Sequence, residues 1–385
     1  MPGSVQRRGK HFSVVIDLGV DPVTGKRRQV RRAFHGNKKE AEAYLVQLLS
    51  ERNNGIDVPA ARAGSVGAYL KTWLHDYART NVSPATYHRY DSIVHNQLIP
   101  SLGAIALGQL RPQHIQHSYS EALRSGRKNG TGGLSPRSVV QQHRILRKAL
   151  QHAVQWQIIN RNPADSVQPP RVARMERDSL DPGQLQDVLR AAESSRHYAL
   201  VFMAAATGMR RGELLGLRWN DVDLDHGTAS ISQTIIWLPK QGFIAGPPKT
   251  HRSSRAVAIS PATVAVLREH RVGQLEERVK AGPLWEDHGL VFSTPIGTPI
   301  DPSNLRLAWR RITEAAGVSS LRFHDLRHVH ASLLLAQGVH PKIVSERLGH
   351  SGIGITMDTY THVLPTLQKE AAELFDVMMG EEKAQ

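Results

Sequence analysis

Residues 321–365 read LRFHDLRHVHASLLLAQGVHPKIVSERLGHSGIGITMDTYTHVLP, and the rest of the chain is interpreted from this stretch. His324 and Arg327 are three residues apart, so a helix would place them on one face. The apolar positions that follow have helical spacing, and glycines end two helices here, the second just before His350. Tyr360 comes ten residues later. Two imidazoles, a guanidinium and a phenol could therefore converge on one phosphate, which predicts a site for phosphoryl transfer to tyrosine.

Three motifs in this order resemble those of the tyrosine recombinases, the family of phage integrases and Xer-type resolvases. The first is ATGMRRGELLGLRWNDVD at residues 206–223, and the second is PKTHRSSRAVAI at residues 248–259. The third comprises HDLRH, LGH and MDTYTHV within residues 321–365. Three motifs in the family's order make a chance match very improbable.

The resemblance implies a role for each of seven side chains. Its catalytic set is Arg210, Lys249, His324, Arg327, His350 and the nucleophile Tyr360, with Glu213 as an acidic partner that orients an arginine or a histidine. Lys249 would lie on a hairpin between strands predicted at residues 228–237 and 254–259, and would protonate the leaving 5′ oxygen. The product implied is a 3′-phosphotyrosyl link with a free 5′-hydroxyl, resolved through a Holliday junction without ATP.

The chemistry also follows from charge. A phosphodiester attacked by a phenol passes through a state whose extra charge sits on the non-bridging oxygens. Arginines offer forked, charge-assisted donors to those oxygens, and such donors each contribute roughly 3–4 kcal/mol in comparable sites. No carboxylate cluster suited to Mg²⁺ stands out in the sequence. We therefore expect neither a metal nor any other cofactor.

Composition favours a polyanionic partner. Lys and Arg number 49 against 34 Asp and Glu, which gives a net charge of +15. The absence of cysteine excludes disulfides and thiol catalysis. The first residues, MPGSVQRRGKHFS, lack the apolar core of a secretion signal, and no apolar run is long enough to span a bilayer. We expect a cytoplasmic, nucleoid-associated protein without a membrane partner.

The 385 residues exceed what one core usually holds, and linker-like stretches divide them into three predicted domains. These are an arm-type DNA-binding domain at 1–57, a helical core-binding (SAM-like) domain at 58–170 and a catalytic domain at 171–385. The fold class expected is mainly α with small β-sheets. A three-stranded sheet with one helix would come first, then four helices, then a mixed α+β domain.

The N-terminal domain carries a dense basic cluster. Apolar residues alternate from His11 to Leu18, as in a half-buried strand, and residues 26–34 form the returning strand. Arg27, Arg28 and Arg31 on that strand could enter a DNA major groove, as β-sheet readers do. A solvated sheet face is the alternative interpretation. The resemblance favours DNA, because phage integrases have an arm-binding domain at this position.

The helical domain has a similar imbalance, with 13 Lys or Arg and four acids between residues 62 and 165. Its last predicted helix, residues 135–156, buries apolar positions on one face and leaves Arg137, Arg144, Arg147 and Lys148 for the other. We expect these four to contact DNA phosphates, with strong salt dependence. A solvated helix face remains the alternative for each of them.

Double-stranded DNA at attachment sites is therefore the expected partner, and the resemblance implies a homotetramer on it. An excisionase and a DNA-bending host protein come into consideration as accessory partners. An amphipathic final helix, residues 364–378, could dock on its own domain or on a neighbouring protomer.

Four alternatives stay open at this point. Three keep the scaffold: a Xer-type resolvase, a catalytically silent DNA-binding regulator, and a type IB topoisomerase. The fourth is a metalloprotease, because HDLRH resembles HExxH with His324 and His328 on one helical face. Against it, aspartate is shorter than the glutamate of that motif, Arg327 would put a cation beside the metal, and no convincing third ligand is found.

Overall fold

The computed structural model describes residues 3–8, 11–20, 27–53, 64–127, 130–173, 180–239, 241–248, 254–350, 352–360 and 375. Contacts divide the chain into two compact units, Met1–Met175 and Glu176–Gln385. None of the helices in the described residues combines the length and the apolar run that a membrane span requires. The predicted final helix lies outside the described residues, apart from Phe375.

The first unit begins with an antiparallel sheet and one helix, as predicted. Its elements are β1 (Gly3–Arg8), β2 (His11–Val20), β3 (Arg27–Phe34) and α1 (Lys38–Asn53), with strand order β1-β2-β3. Val14 and Ile16 of β2 pack with Ala41 of α1 in a small core. Asn37 and Glu40 cap α1 reciprocally: each side chain accepts a hydrogen bond from the other's backbone N–H, at 2.9 and 3.0 Å.

The second part of this unit is helical and has a separate core. Its α-helices are α2 (Val66–Trp73), α3 (Arg79–Asn81), α4 (Pro84–Ile93), α5 (Ile99–Leu102), α6 (Pro112–Ser125) and α7 (Pro136–Gln155). Two π-helical turns, Leu74–Ala78 and Val94–Leu98, join α2 to α3 and α4 to α5. Buried Leu146 and Leu150 of α7 pack with Trp73 in the core, so the predicted apolar face of this helix is confirmed.

The described residues of the second unit form one large core and one smaller apolar cluster, surrounded by helices and two small sheets. The helices are α8 (Pro182–Ala192), α9 (Tyr198–Thr207), α10 (Arg211–Leu215), α11 (Pro261–Ala281), α12 (Pro302–Ala315), α13 (Asp325–Ala336), α14 (Pro341–Leu348) and α15 (Ile353–Tyr360). The apolar helix α9 is buried on nearly every side and packs against α11 and α13. It therefore forms the centre on which the C-terminal helices are arranged.

One expectation about the strands is wrong. The single strand predicted at residues 228–237 is two strands in two different sheets, β5 (Thr228–Ser230) and β6 (Thr234–Leu238). β5 lies between β4 (Val222–Asp223) and β8 (Ala256–Ala258), whereas β6 pairs with β7 (Gly242–Gly246) in a hairpin of its own. The chain leaves the first sheet at residues 231–233, which form no strand, and a tight turn after Leu238, whose carbonyl accepts the N–H of Gln241, then folds β7 back onto β6, with Gly242 at a φ of +75°. The mixed α+β class is nevertheless confirmed.

Candidate active site

Arg210 is positioned by a sharp turn at the end of α9. Gly208 ends that helix in the left-handed region, with a φ of 63°. A Cβ atom at this position would lie 2.6 Å from a methyl carbon of Leu348 and 2.9 Å from the ring of His330, so only glycine fits. After this turn the chain is extended at Arg210, which is the N-cap of α10. The motif ATGMRRGELL therefore places the Arg210 side chain beside the last turn of α14.

A buried carboxylate joins two guanidinium groups. Glu213, only 1% exposed, accepts hydrogen bonds from the backbone N–H of Arg210 at 2.8 Å and from its Nη1 at 2.7 Å. The two Nη atoms of Arg255 reach the same carboxylate at 3.3 and 3.2 Å. Burial alone would raise the pKa of Glu213, but the charge and hydrogen bonds of Arg255 and Arg210 outweigh it and lower the pKa. The carboxylate is therefore ionised at neutral pH and fixes both arginines.

The C-terminus of α14 holds three arginines through three consecutive carbonyls. Such carbonyls have no partner within their own helix and carry the negative end of its dipole. The hydrogen bonds run from Arg255 Nε to the carbonyl of Arg347 at 2.7 Å, from Arg327 Nη2 to that of Leu348 at 2.7 Å, and from Arg210 Nη2 to that of Gly349 at 3.0 Å. This row brings the two predicted catalytic arginines to adjacent peptide units.

Arg327 is the more deeply held of the two catalytic arginines. It lies in the first turn of α13 and is only 4% exposed. Besides the carbonyl of Leu348, its guanidinium binds the carbonyl of Gly208 through Nη1 at 2.7 Å. The group thus bridges the turn after α9 and the end of α14. Arg210, with 37% of its side chain exposed, is the one open to solvent.

Both predicted histidines lie near these cations and are uncharged at neutral pH. His350 follows α14 directly, and its Nδ1 is 2.8 Å from the hydroxyl oxygen of the buried Thr356 in α15. Burial and the positive charges of Arg327 and Arg210 lower the pKa of His350 to about 4. At the N-terminus of α13, desolvation and then the charge of Arg327 lower the pKa of His324, which is more exposed to solvent than His350. Each ring can therefore donate one hydrogen bond and accept another.

The structure leaves two of the predicted residues undetermined. Tyr360 is the last residue of α15, one helical turn after Thr356, but the placement of its side chain lies outside what the structure describes. Lys249 lies entirely outside the described residues, in the segment between β7 and β8. Their roles as nucleophile and general acid stay predictions. The described part of the site supplies the two arginines, the two histidines and Glu213.

Two arginines of the site had been given no role from the sequence. Arg255 stands in the quoted motif PKTHRSSRAVAI, and its side chain is 9% exposed. Arg347 precedes the quoted LGH and binds the buried His330. Arg347 also lies in the last turn of α14, where basic residues are common, but this position does not predict its contacts with His330 and Ala206. His330 itself is a buried residue of the core.

The two histidines of HDLRH, the motif that resembles a metalloprotease site, lie close together. The rings of His324 and His328 are 5.7 Å apart between centroids and nearly perpendicular. Among the described residues, no group of three or more His, Asp or Glu side chains is placed to bind a metal ion. The guanidinium of Arg327, buried at the same turn of α13, puts a positive charge beside this histidine pair.

The predicted DNA-contact residues lie on two surfaces of the first unit. Arg31 of β3 is exposed, while the side chains of Arg27 and Arg28 fall outside the described residues. On α7, Arg137 and Arg144 are exposed. The other two α7 residues are already engaged: Arg147 Nε binds Asp165 at 2.6 Å, and Lys148 Nζ lies 5.3 and 5.8 Å from the ring centroids of Tyr77 and Tyr90.

Comparisons with known families and sequences agree over most of the chain. The model of the phage integrase family matches residues 178–366, and that of the phage integrase N-terminal SAM-like domain matches residues 65–123. The chain is 31% identical to a tyrosine recombinase XerC-like protein of Caldanaerobacter subterraneus subsp. tengcongensis, over 96% of each chain. It is 30% identical to an integrase of Streptomyces ambofaciens, over 94% of this chain and 92% of the relative.

Solved structures share the fold. The Tn1549 transposon integrase, in complex with a circular intermediate DNA, superposes with a TM-score of 0.67 at 19% identity, covering 81% of this chain and 99% of that one. The lambda integrase tetramer bound to a Holliday junction gives a TM-score of 0.54 at 18% identity, covering 93% and 95%. At these identities the likeness establishes the architecture.

Proposed function

The chain belongs to the phage integrase family and is a site-specific tyrosine recombinase that cuts and rejoins DNA, and we propose that Tyr360 is its nucleophile, acting on a phosphate bound by Arg210 and Arg327. The observation that carries this proposal is the row of carbonyls at the end of α14. It holds both guanidinium groups from one side, on adjacent peptide units, before any substrate arrives. Preorganised donors of this kind stabilise developing charge without reorganisation during the reaction.

The charge balance of the site suits an anionic transition state. The site contains four arginines, at positions 210, 255, 327 and 347, and among its described residues one buried carboxylate, that of Glu213, which binds Arg210 and Arg255. Glu213 keeps two of them in place without cancelling the excess positive charge. An incoming phosphodiester supplies the missing negative charge, and that charge grows on its non-bridging oxygens as the phosphorus becomes five-coordinate.

In the proposed reaction, Tyr360 attacks the phosphorus and the 5′ oxygen leaves. The phenolic oxygen of Tyr360 forms a bond to phosphorus, and the bond from phosphorus to the 5′ oxygen breaks. Lys249 gives a proton to that 5′ oxygen. Because a phenol has a pKa of about 10, its proton must be taken up as it attacks, and a neutral imidazole can accept it. We assign His324 to this step, since it is the more accessible ring.

His350 is assigned to hold the phosphate. Its neutral ring carries one proton, and in the tautomer we propose Nδ1 accepts the hydroxyl proton of Thr356 while Nε2–H donates to a non-bridging oxygen. Thr356 would then couple two tasks, because the helix that orients His350 is also the helix that ends at Tyr360. Reversal of the cleavage by a 5′-hydroxyl of a partner strand exchanges the duplexes without ATP.

The biological substrate we propose is a pair of attachment sites used to integrate and excise a mobile element. We propose a homotetramer on DNA, the assembly in which the lambda integrase of the same fold was solved on a Holliday junction. A DNA-bending host protein and an excisionase complete the proposal, with the nucleoid as the place of action. If the purified protein alone recombined two attachment sites in both directions, neither accessory partner would be required.

A nicked suicide substrate tests the proposed nucleophile. Loss of a short strand after cleavage prevents religation and traps the covalent protein–DNA adduct. Wild type should form the adduct, Tyr360→Phe should form none, and Tyr198→Phe, a matched tyrosine of α9 outside the site, should behave as wild type. A silent regulator predicts no adduct with wild type. An adduct that persists in Tyr360→Phe would place the nucleophile elsewhere.

A further inference from the structure

His330 and Arg347 form a buried pair that the reaction as proposed does not use. His330, on α13, is 7% exposed, and its Nδ1 lies 2.9 Å from the carbonyl oxygen of Ala205. Its Nε2 lies 3.1 Å from Nε of Arg347, at the end of α14. Nη2 of Arg347 donates to the carbonyl of Ala206 at 2.9 Å. The two side chains therefore connect α13 and α14 to the last turn of α9.

These partners fix the protonation of the ring. A carbonyl oxygen only accepts a hydrogen bond and the Nε–H of arginine only donates, so His330 must carry its proton on Nδ1 and present a lone pair at Nε2. The environment keeps the ring neutral, because burial and then the charge of Arg347 lower the pKa of His330 to about 4. The contact is thus a directed hydrogen bond from a cation to a neutral imidazole, which a charged ring could not accept.

The place of this pair in the chain connects it to the phosphate site. The carbonyl of Arg347 is the first of the three that hold arginines, and the next two, from Leu348 and Gly349, hold Arg327 and Arg210. Arg347 is fixed at both ends, through its side chain by α9 and α13 and through its carbonyl by Arg255. A shift of this residue would move the acceptors of both phosphate-binding arginines together.

We propose that Arg347 and His330 are a positioning pair that sets the geometry of Arg210 and Arg327 by holding the end of α14 against the end of α9. The inference rests on the proposed roles of those two arginines in binding the scissile phosphate. The pair contacts the protein's own backbone and makes no contact with substrate in the proposed mechanism. Its effect on catalysis passes entirely through the carbonyl row.

Arg347→Met removes the donors of the pair and keeps most of the side-chain volume. His330→Phe removes the acceptor and keeps a planar ring. Arg278→Met is the matched control, because Arg278 is an exposed arginine of α11 whose ion pair with Asp287 lies on the surface. Each variant reacts as the full-length protein with the nicked suicide substrate, at saturating protein and in a single turnover. The rate constant of adduct formation and its final amplitude are recorded separately.

The two observables separate positioning from folding. A purely structural role lowers the amplitude, because part of the protein is inactive, and leaves the rate constant of the active fraction unchanged. A positioning role lowers the rate constant, and we expect roughly 10- to 100-fold for Arg347→Met, the scale that small displacements of reacting groups produce. The double variant should be no slower than Arg347→Met alone, because the two residues act as one unit.

A rate constant for Arg347→Met equal to that of wild type and Arg278→Met would overturn the proposal, as would additive losses in the double variant. If Arg347→Met does not fold, Arg347→Lys takes its place, since it keeps the charge but cannot bond His330 and Ala206 with one planar fork. A rate constant for Arg347→Lys equal to that of wild type and Arg278→Met would then overturn the proposal. Absence of an adduct with wild type would contradict the proposed function instead, so the two failures are distinguishable.

Discussion

Arg327 donates a hydrogen bond from Nη2 to the carbonyl oxygen of Leu348 at 2.7 Å, and this contact joins the first turn of α13 to the last residue of α14. The other end of the same guanidinium binds the carbonyl of Gly208 at 2.7 Å. A planar fork with donors in fixed directions is needed to reach both oxygens at once. Arg327 is therefore held in place by the fold itself.

Arg327→Lys separates charge from geometry. Lysine keeps the positive charge but cannot bridge the two carbonyls, so a buried acceptor loses its partner. We expect the free energy of unfolding to fall by about 1–3 kcal/mol and the single-turnover rate of adduct formation to fall by roughly 10²- to 10³-fold. Urea unfolding and the suicide-substrate assay measure the two effects. Arg310→Lys, at an exposed pair with Glu314, should change neither; near-wild-type cleavage by Arg327→Lys would contradict the assigned role.

Acidification should destabilise the protein. His197, His330 and His350 have pKa values lowered to about 4, mainly by burial, against about 6.5 in the unfolded chain. Between these values the unfolded state binds more protons than the folded state. The stability linked to each neutral ring is therefore complete above pH 6.5 and decreases towards pH 4, by at most about 1.4 kcal/mol per pH unit.

Urea unfolding from pH 7 to pH 5 measures this dependence. His197→Asn removes one of these rings from the N-terminus of α9 and should reduce the slope of stability against pH. His288→Asn, at an exposed histidine, is the matched control variant. A free energy of unfolding that stays constant or increases on acidification would show that these rings are not held neutral.

Metal removal distinguishes the recombinase from the metalloprotease interpretation of HDLRH. The phosphate is proposed to be held by Arg210, Arg327 and His350 without a metal ion, so EDTA followed by gel filtration should leave the rate of adduct formation unchanged. A metalloprotease would lose its activity and regain it on addition of Zn²⁺. Loss of DNA cleavage after chelation, restored by a divalent cation, would contradict the arginine-based mechanism.

Helix α7 should contribute to DNA affinity through phosphate contacts. Lys148 is held over the rings of Tyr77 and Tyr90, so little side-chain freedom remains to be lost when its ammonium group meets a phosphate. We expect Lys148→Gln to weaken binding to all DNA sequences alike and to reduce the slope of log K against log salt by about 1. Arg124→Gln, at an exposed pair with Glu121, is the control. If Lys148→Gln left the slope of log K against log salt unchanged, Lys148 would not be in contact with a DNA phosphate.

Part of the site could be predicted from the local sequence, because the residues concerned lie within one turn of the glycine or helix end that positions them. Gly208 and Gly349 each end a helix in the left-handed region, and the residues that they position, Arg210 and His350, follow within two positions. His324 and Arg327 share the start of one helix. Such relations depend on short-range geometry, so motif spacing was sufficient to predict them.

The remainder depends on contacts between distant residues. Arg255 and Glu213 are 42 positions apart, and Arg347 and Ala206 are 141 apart, so no periodicity in the sequence could pair them. The hairpin of β6 and β7 was missed for a different reason. The apolar run TIIWL continues the preceding alternation, so the break at residues 231–233 gave no signal in the sequence, and the returning strand β7 was not predicted.

The central claim is that the phenol of Tyr360 becomes covalently bonded to a DNA 3′-phosphate. Protease digestion of the trapped adduct, followed by mass spectrometry of the nucleopeptide, measures this bond directly. We expect one modified peptide that contains Tyr360, linked to a 3′-phosphate, with a free 5′-hydroxyl on the released strand. A modification at any other residue, a 5′-phosphate link, or cleaved DNA without any nucleopeptide would contradict it.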